Sequence, residues 1–345
     1  MKQSEAAEDQ RMRAGLILIS LSIFLVASIF AGIMVGSVKA SIGDLINYLS
    51  GKHDILGYIV YNVRMPRTFA AAIAGASLAV SGLLLQTYFR NPLAGPYVLG
   101  ISSAASFGVA MYILAGVCLL PGFRFGMAFP AFIASALAGS ALAIAIVLAV
   151  AARVRSAVTL LIVGLMIGYV FSAVDQILIT FANAKRVQLY VLWSFGTFSG
   201  VTWDYLRVMA LILIPCLIFS FLLSKPLNAM LLGEEYAKTM GVNVRVVRVV
   251  TMALSAVFAA VVTAYCGIVA FVGLAIPHMA KLALKSSDHR LLIPATALLG
   301  GAITVLCDIA ARMILNPVEL PVSVITSIFG APVVVYLVMR RNLAV

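Results

Sequence analysis

Four polar side chains lie inside the long apolar runs of this sequence and could take part in chemistry there. They are Gln86, Asp175, Gln176 and Asp308. Polar groups in such surroundings often mark the path of an ion or a substrate. Ion- or proton-coupled carriers usually need buried carboxylates, and two isolated ones make that class a poor match. Asp308 has Arg312 four residues later, a spacing that predicts an ion pair on one helix face.

Motifs for bond-making chemistry are absent from the sequence. There is no G-x-x-x-x-G-K-[ST] loop for nucleotide phosphates, no H-E-x-x-H zinc motif and no G-x-S-x-G nucleophile motif. The three histidines are far apart, and none of the four cysteines is spaced as a metal ligand. We therefore expect a chain that is not an enzyme, hydrolyses no ATP itself, and binds no metal or other cofactor.

The elements that hold these residues are predicted to be transmembrane helices. The chain of 345 residues is 63% hydrophobic and 10% charged, whereas a soluble domain carries about 25% charged residues. Residues 14–38 contain no charge, and this run is longer than the signal-peptide core of about 7–15 residues. It can span a bilayer, which takes about 20 apolar residues. Backbone groups in hydrocarbon must bond within their own segment, so these runs should be helical.

The lengths of the apolar runs predict an all-α, polytopic membrane protein with about ten transmembrane helices per subunit. The uncharged run 249–280 would be about 48 Å long as one helix, against about 30 Å of hydrocarbon, so it should turn at Gly267. We find no linker, and we expect residues 1–345 to form a single transmembrane domain. The predicted spans are 14–38, 66–88, 97–118, 127–151, 157–182, 205–224, 246–265, 268–285, 291–311 and 321–339.

The positively charged residues predict that both termini are cytoplasmic. The net charge of +12 comes from Lys and Arg at the ends of apolar runs, with no basic groove or motif for nucleic acid, so nucleic-acid binding is not expected. With both ends inside, fifteen of the 24 Lys and Arg lie on the inner side and nine on the outer side, as the positive-inside rule favours. Residues 39–65 and 183–204 are then outer connections, the second with room for a short interfacial helix, and residues 225–244 are the longest inner one.

A series of short motifs occurs in order along most of the chain: R-M-P-R (64–67), G-A-S-L-A (75–79), R-N-P-L-A-G-P (90–96), L-G-I-S-S (99–103), G-E-E-Y-A (233–237), F-V-G-L-A-I-P-H (271–278), D-I-A-A-R (308–312) and G-A-P (330–332). In this order they resemble the permease subunits of the iron-siderophore, haem and cobalamin class of ABC importers. The resemblance implies ten spans per subunit and a homodimer with the translocation path on its two-fold axis. It also implies two cytoplasmic ATPase subunits, which bind ATP and Mg, and an extracytoplasmic binding protein.

The resemblance implies that Arg64, Arg67 and Arg312 dock the binding protein at the outer face. Arginine suits this role because its fork grips a carboxylate with two hydrogen bonds. From the residues alone, Arg64 and Arg67 beside Pro66 could equally be anchors whose charges reach the lipid headgroups.

Residues 225–244 are similar to the coupling segment of the family, two short helices that sit in a groove of the ATPase. A connection of about 20 residues is long for a simple loop, and its glycines would allow turns or helix ends. A polar inner loop without a partner is the alternative. The implied coupling residues are Gly233, Glu234, Glu235, Tyr236, Ala237, Met240 and Gly241.

Two inner segments resemble gates at the inner end of the path. Asn91 and Leu93 lie in the turn 90–96, and Ser156, Ala157 and Val158 begin the fifth predicted span. The side chain of Ser156 could instead cap the helix that follows it.

These observations favour the membrane-spanning subunit of an ATP-driven importer for a metal chelate, located in the inner membrane and acting by gating alone. The sequence does not single out the substrate, although iron-siderophore and haem are slightly preferred over cobalamin. A stand-alone secondary transporter or channel is the alternative function.

Overall fold

The computed structural model describes residues 2–52, 54–116, 129–154 and 156–342, and this part of the chain is helical, with no strand. A π-helical turn, Val60–Arg64, joins the third helix to the fourth, and a 3-10 turn, Pro96–Leu99, precedes the fifth. The helices are, in chain order, α1 (Lys2–Met34), α2 (Ile42–Leu49), α3 (Ile55–Ile59), α4 (Met65–Phe89), α5 (Ile101–Ile113), α6 (Phe129–Arg153), α7 (Ala157–Phe181), α8 (Ala184–Ser194), α9 (Trp203–Leu222), α10 (Ser224–Leu231), α11 (Glu234–Thr239), α12 (Val244–Cys266), α13 (Val272–Leu284), α14 (His289–Met313) and α15 (Val322–Asn342).

The prediction of an all-α, polytopic membrane protein is confirmed. Within the described ranges, seven helices are long and apolar enough to cross a membrane: α1, α4, α6, α7, α9, α12 and α14. Three shorter apolar helices, Ile101–Ile113, Val272–Leu284 and Val322–Tyr336, occupy the remaining predicted spans. Residues 117–118 and 127–128, at the ends of two predicted spans, lie outside the described residues.

Three helix starts differ from the predicted boundaries by four residues or more, and α13 is one of them, beginning at Val272 and not at residue 268. Helix α1 begins at Lys2, well before residue 14, because residues 2–13 are rich in Glu, Ala, Gln, Arg and Met, which are good helix formers. Helix α5 begins at Ile101 and not at residue 97, because a 3-10 turn intervenes and Gly100 adopts φ +70°. Run length locates a span, but a polar helical extension or a turn shifts its end.

The long apolar run turns where the sequence predicted. Helix α12 ends at Cys266, and Gly267 follows with φ +71°. A Cβ placed on Gly267 would lie 2.5 Å from the carbonyl oxygen of Trp193 in the outer connection. Both the positive φ and the lack of space require glycine at this position.

Helix α4 is the centre of the bundle. Nearly all of its side chains are buried, and it packs against α12, α13 and α14. Helices α1, α7 and α9 lie at the periphery and expose large apolar side chains such as Phe30, Phe181 and Leu211. An apolar exterior around a buried central helix is the arrangement that a bilayer requires.

Small residues let α4 approach its neighbours closely. A Cβ placed on Gly82 would lie 1.6 Å from the carbonyl oxygen of Gly273 in α13, and one on Gly75 would lie 2.4 Å from that of Gly300 in α14. Close backbone approach is the main source of helix association in membranes. One turn after Gly82, the amide of Gln86 donates to the Gly273 carbonyl at 3.4 Å, so this polar side chain joins two helices.

Replacing Gly82 with alanine should push α13 away from α4. Overpacking of this kind costs about 1–3 kcal/mol, so we expect Gly82→Ala to lower the apparent melting temperature of the detergent-solubilised protein by at least about 2 °C. The matched control is Gly15→Ala in α1, because nothing lies within 4 Å of a Cβ placed on Gly15. Equal melting of Gly82→Ala and the wild type would contradict the close approach.

Candidate functional site

Charged residues collect at the two ends of the bundle, which α4 connects. Following the predicted orientation, we call the end with Arg64, Arg67 and Arg312 the outer end. The end with residues 225–244 is called the inner end. The outer end holds the predicted docking residues, and the inner end holds the predicted coupling and gate residues.

At the outer end, Arg67 holds two carboxylates. It lies in the first turn of α4 and is 4% exposed. Its Nε and Nη2 donate to Asp308 of α14 at 3.0 and 2.9 Å, and its Nη1 donates to Glu319 at 2.9 Å. Paired hydrogen bonds from one guanidinium to a carboxylate form a strong, directional contact. The Asp308 side chain is 1% exposed and that of Glu319 is 47% exposed, so Arg67 has one buried and one accessible partner.

Arg312 and Arg64 fasten the C-terminal end of α1. Arg312 donates to Asp308 at 3.1 Å, which confirms the predicted ion pair, and to the carbonyl oxygen of Gly32 at 3.2 Å. Arg64 donates to the carbonyl oxygen of Met34 at 2.9 Å. Carbonyl groups in the last turn of a helix have no partner within it, and a cation there also meets the negative end of the helix dipole.

The three arginines therefore lie together, but their side chains are buried. Arg64 and Arg67 are not the headgroup anchors of the alternative interpretation, because protein covers them. Direct docking would require an incoming carboxylate to displace a group that an arginine already binds. Glu319, the accessible partner, is 252 positions from Arg67, and no local pattern in the sequence could have paired them. Docking through these residues stays a prediction.

At the inner end, residues 225–244 contain two short helices, α10 and α11. Gly233 and Gly241 bound α11 and have φ of +127° and +82°. Side chains other than glycine are strained in this conformation. The sequence expectation of turns at these two glycines is thus met.

The surface of α11 carries apolar side chains among charges. Tyr236 and Met240 are 52% and 59% exposed, whereas Ala237 is fully buried. Glu235 pairs with Lys238 at 2.5 Å on the exposed face. A groove of about 540 Å³ lies between α11 and the last turn of α4. Exposed aromatic and thioether groups beside a groove are typical of a surface that binds another protein.

The last turn of α4 is tied to this segment. Arg90, with φ +49°, donates through Nη2 to the carbonyl oxygen of Met230 at 2.7 Å. The Thr87 hydroxyl lies 2.8 Å from His289 Nε2, and His289 Nδ1 lies 2.7 Å from Asn228 Oδ1. An amide oxygen only accepts, so Nδ1 carries a proton. These contacts join α4, α10 and α14.

Asp288 strengthens the same junction at the start of α14. Its carboxylate accepts from the backbone N–H of Arg290 at 2.9 Å and from the side-chain amide of Asn228 at 2.6 Å. Partial burial raises the pKa of the Asp288 carboxyl, but these hydrogen bonds and the charge of Arg290 bring it below its usual value. Asp288 is therefore a charged helix cap that also holds the coupling segment.

A cavity of about 770 Å³ opens beside this junction. Of the predicted gate residues in the turn, Leu93 lines this cavity and is 48% exposed, whereas Asn91 does not line it. The Asn91 side chain accepts from the Leu93 N–H at 2.9 Å. His278 of α13 also holds the turn, because its Nε2 lies 2.8 Å from the carbonyl oxygen of Pro92. The segment of the first predicted gate is thus a short turn, held by hydrogen bonds, beside a cavity.

The second predicted gate begins α7. The Ser156 hydroxyl accepts from the Thr159 N–H at 3.3 Å, so Ser156 is a helix cap, as the alternative interpretation held. Val158 is 67% exposed. The backbone of Ala157 is in α7, and its side chain lies outside the described residues. Gating by either segment stays a prediction.

The remaining polar residues of the spans were candidates for a path, and Asp175 instead joins helices. It accepts from the Tyr190 hydroxyl at 3.0 Å, and Ser106 Oγ lies 2.7 Å from that hydroxyl. This links α7 and α5 to α8, a short helix in the connection where the sequence left room for one. Gln176 is exposed. In the part of the chain that the structure describes, no group of three or more His, Cys, Asp or Glu could hold a metal.

Two known structures have a similar fold. The chain superposes with a TM-score of 0.83 and 28% identity on an inward-facing structure of a metal-chelate type ABC transporter, covering 94% of this chain and 99% of that one. PsaBC from Streptococcus pneumoniae, solved with a Fab, gives a TM-score of 0.52 at 17% identity, with 86% and 95% covered. The second likeness concerns the fold alone.

Relatives at the sequence level span the full chain. The vitamin B12 import system permease protein BtuC of Salmonella typhi is 34% identical over 334 residues, which cover 97% of this chain and 98% of that protein. A protein of Methanocaldococcus jannaschii assigned as an ABC transporter permease is 34% identical over 336 residues, which cover 94% and 93%. The model of the FecCD transport family matches residues 24–340. With a family match over nearly its whole length and full-length relatives of this similarity, the chain belongs to the FecCD transport family.

Proposed function

We propose that this chain is the membrane-spanning subunit of an ATP-driven importer for a metal chelate and that it forms the translocation path. The two-helix segment at the inner end carries the proposal: its first helix is tied to the bundle beside a cavity, and its second helix is exposed. Such a segment suits a separate ATP-hydrolysing subunit, since the sequence has no phosphate-binding loop of its own. The relative BtuC is named as the permease of a vitamin B12 import system, which supports the same role.

The proposed partners are two cytoplasmic ATPase subunits, which bind ATP and Mg, an extracytoplasmic binding protein and a second copy of this chain. Helices α7 and α15 expose large apolar side chains such as Tyr169 and Ile328, which lipid or the second copy would cover. We propose that the protein resides in the inner membrane with both termini in the cytoplasm. The excess of Lys and Arg on the inner side supports this orientation.

A metal chelate is the proposed class of substrate. The description of one relative names vitamin B12, and that of a similar structure names a metal chelate. Cobalamin therefore has more support than the sequence alone gave it, and iron-siderophore and haem remain within the class. Calorimetric titration of the partner binding protein with each chelate would decide among them.

The division of labour between subunits predicts that the purified chain hydrolyses no ATP. When the chain is co-expressed with the ATPase encoded nearest to it, the two should purify as a complex, and this complex should hydrolyse ATP. Both results can be measured by phosphate release. Uptake into vesicles that contain this chain without ATPases would instead favour a stand-alone carrier.

Coupling is proposed to occur through α11. Interfaces draw most of their strength from a few buried side chains, among which tyrosine is frequent. Tyr236 is half exposed here, and neighbouring Met240 is more so. Insertion of these two side chains into an ATPase groove would bury them, and Glu235 with Lys238 would form the polar rim.

Replacing Tyr236 with aspartate should separate the chain from its ATPase. Loss of an aromatic anchor costs about 2 kcal/mol or more, which corresponds to at least about 30-fold weaker binding. Met240→Asp should act in the same direction. Assembly, ATP hydrolysis and uptake should be measured together in vesicles. Tyr58→Asp is the control, because Tyr58 is 53% exposed at the outer end; wild-type assembly and uptake by both inner variants would exclude this coupling surface.

Docking of the binding protein is proposed to occur by carboxylate exchange at Arg67. Glu319 occupies Nη1 of Arg67 and is half exposed, whereas Asp308 is buried between Arg67 and Arg312. A carboxylate on the binding protein could take the place of Glu319 without opening the buried pair. Such an exchange reconciles docking at the arginine cluster with the burial of its side chains.

Exchange predicts that Glu319→Gln tightens docking, because the carboxylate of the binding protein no longer competes with the charged Glu319 for Arg67. The Glu319 side of the pair is accessible to solvent, and a pair at the surface contributes up to about 1 kcal/mol. Affinity should therefore rise by about fivefold at low salt, as measured by surface plasmon resonance. The control is Asp204→Asn, which neutralises another outer carboxylate, one paired with Arg207 and 84% exposed. Weaker binding by Glu319→Gln, or an equal response of both variants, would rule out exchange.

A further inference from the structure

Arg248 lies in the second turn of α12 at the inner end and has not entered the function so far. Its residue is 7% exposed, although most Lys and Arg side chains at this end are exposed. In the sequence it looks like any other inner cation. A buried guanidinium must be surrounded by acceptors, because an unpaired buried charge is strongly destabilising.

The first group that Arg248 binds is the segment that leads to the second predicted gate. Its Nη1 donates to the carbonyl oxygen of Val154 at 2.5 Å. Val154 follows the last residue of α6 and lies two residues before Ser156. The contact satisfies a carbonyl at a helix C-terminus, where a cation is favourable.

The second group belongs to the coupling segment. Nη2 of Arg248 lies 3.9 Å from Oε2 of Glu234, in the first turn of α11. The Glu234 side chain is 33% exposed, so this ion pair lies at the boundary between the bundle and the surface that the ATPase is proposed to bind.

The third group is the last turn of α4. The guanidinium carbon of Arg248 lies 5.9 Å from the centre of the Tyr88 ring, within the range of a cation–π contact. Two residues later, Arg90 binds the coupling segment and begins the turn with Asn91 and Leu93. One buried side chain thus contacts the coupling segment and the chain on the way to both predicted gates.

We propose that Arg248 is a positioning residue that makes the two gate segments move together with the coupling segment. The inference rests on the proposed function, because it assumes that ATPases act on α11. Movement of α11 shifts Glu234, and the guanidinium follows since separation would leave its buried charge without that carboxylate. Because the same guanidinium binds the Val154 carbonyl and contacts the Tyr88 ring, both residues shift with it. Lysine keeps the charge but is a compact ammonium without the planar guanidinium fork, so it cannot hold the three groups in the same geometry.

The test compares Arg248→Lys with the wild type in vesicles that contain the ATPases and the binding protein. We expect assembly and unstimulated ATP hydrolysis within twofold of the wild type, and at least a fivefold loss of substrate taken up per ATP hydrolysed. A residue needed only for folding would lower assembly, hydrolysis and uptake together. Arg245→Lys is the matched control. Arg245 lies in α12 like Arg248 and also binds a carbonyl at the end of α6, that of Ala152 at 3.0 Å, but its side chain is exposed.

Glu234→Gln supplies a second variant that leaves Arg248 in place. It should lower uptake per ATP in the same way, and the double variant should be no worse than Arg248→Lys, since both act through one contact. Wild-type uptake per ATP in Arg248→Lys would overturn the proposal. If that variant does not assemble, unchanged coupling in Glu234→Gln overturns it instead. Failure of the wild-type complex to assemble or transport would count against the proposed function itself.

Discussion

Every helix leaves carbonyl groups at its C-terminal end without a partner inside the helix, and those that neighbouring segments cover need another donor. At the ends of four helices of this protein, arginines from neighbouring segments bind such carbonyls. The charge also meets the negative end of the helix dipole. The packing of the bundle ends depends on this interaction: Arg64 and Arg312 bind the end of α1, Arg186 that of α5, Arg245 and Arg248 that of α6, and Arg90 that of α10.

The two ends use the same interaction with different surroundings. At the outer end, Arg67, Asp308 and Arg312 are nearly closed to solvent and joined by short ion pairs. At the inner end, Glu234 is partly exposed and 3.9 Å from its arginine, and the surface of α11 is open. Segments with few buried contacts are the ones that open at low free-energy cost. The inner end is therefore suited to motion, and the outer end is suited to holding the helices together.

The sequence predicted what local chemistry determines. The length of the apolar runs predicted the spans, because the hydrocarbon thickness sets the length of a spanning helix. Gly267 predicted the turn. The spacing of Asp308 and Arg312 predicted their ion pair, because residues four apart lie on one helix face. It could not predict Arg67 with Asp308, which are 241 positions apart, or Tyr190 with Asp175. The sequence also did not predict that the arginine cluster is buried. An arginine at the end of a span has the same local sequence whether its side chain reaches water or a neighbouring helix.

The attachment of α1 has a consequence for how the protein is made. This first span exposes most of its length and packs mainly against α14, with its C-terminal end held by Arg312 of that helix. Chains fold from the N-terminus as they are synthesised, but α14 begins only at His289 and is not complete until Met313 has been added. Until then α1 lies in the bilayer without its main neighbour. Helix α1 is therefore made well before α14 but reaches its final position only once α14 is present, so insertion and assembly are separate events for it.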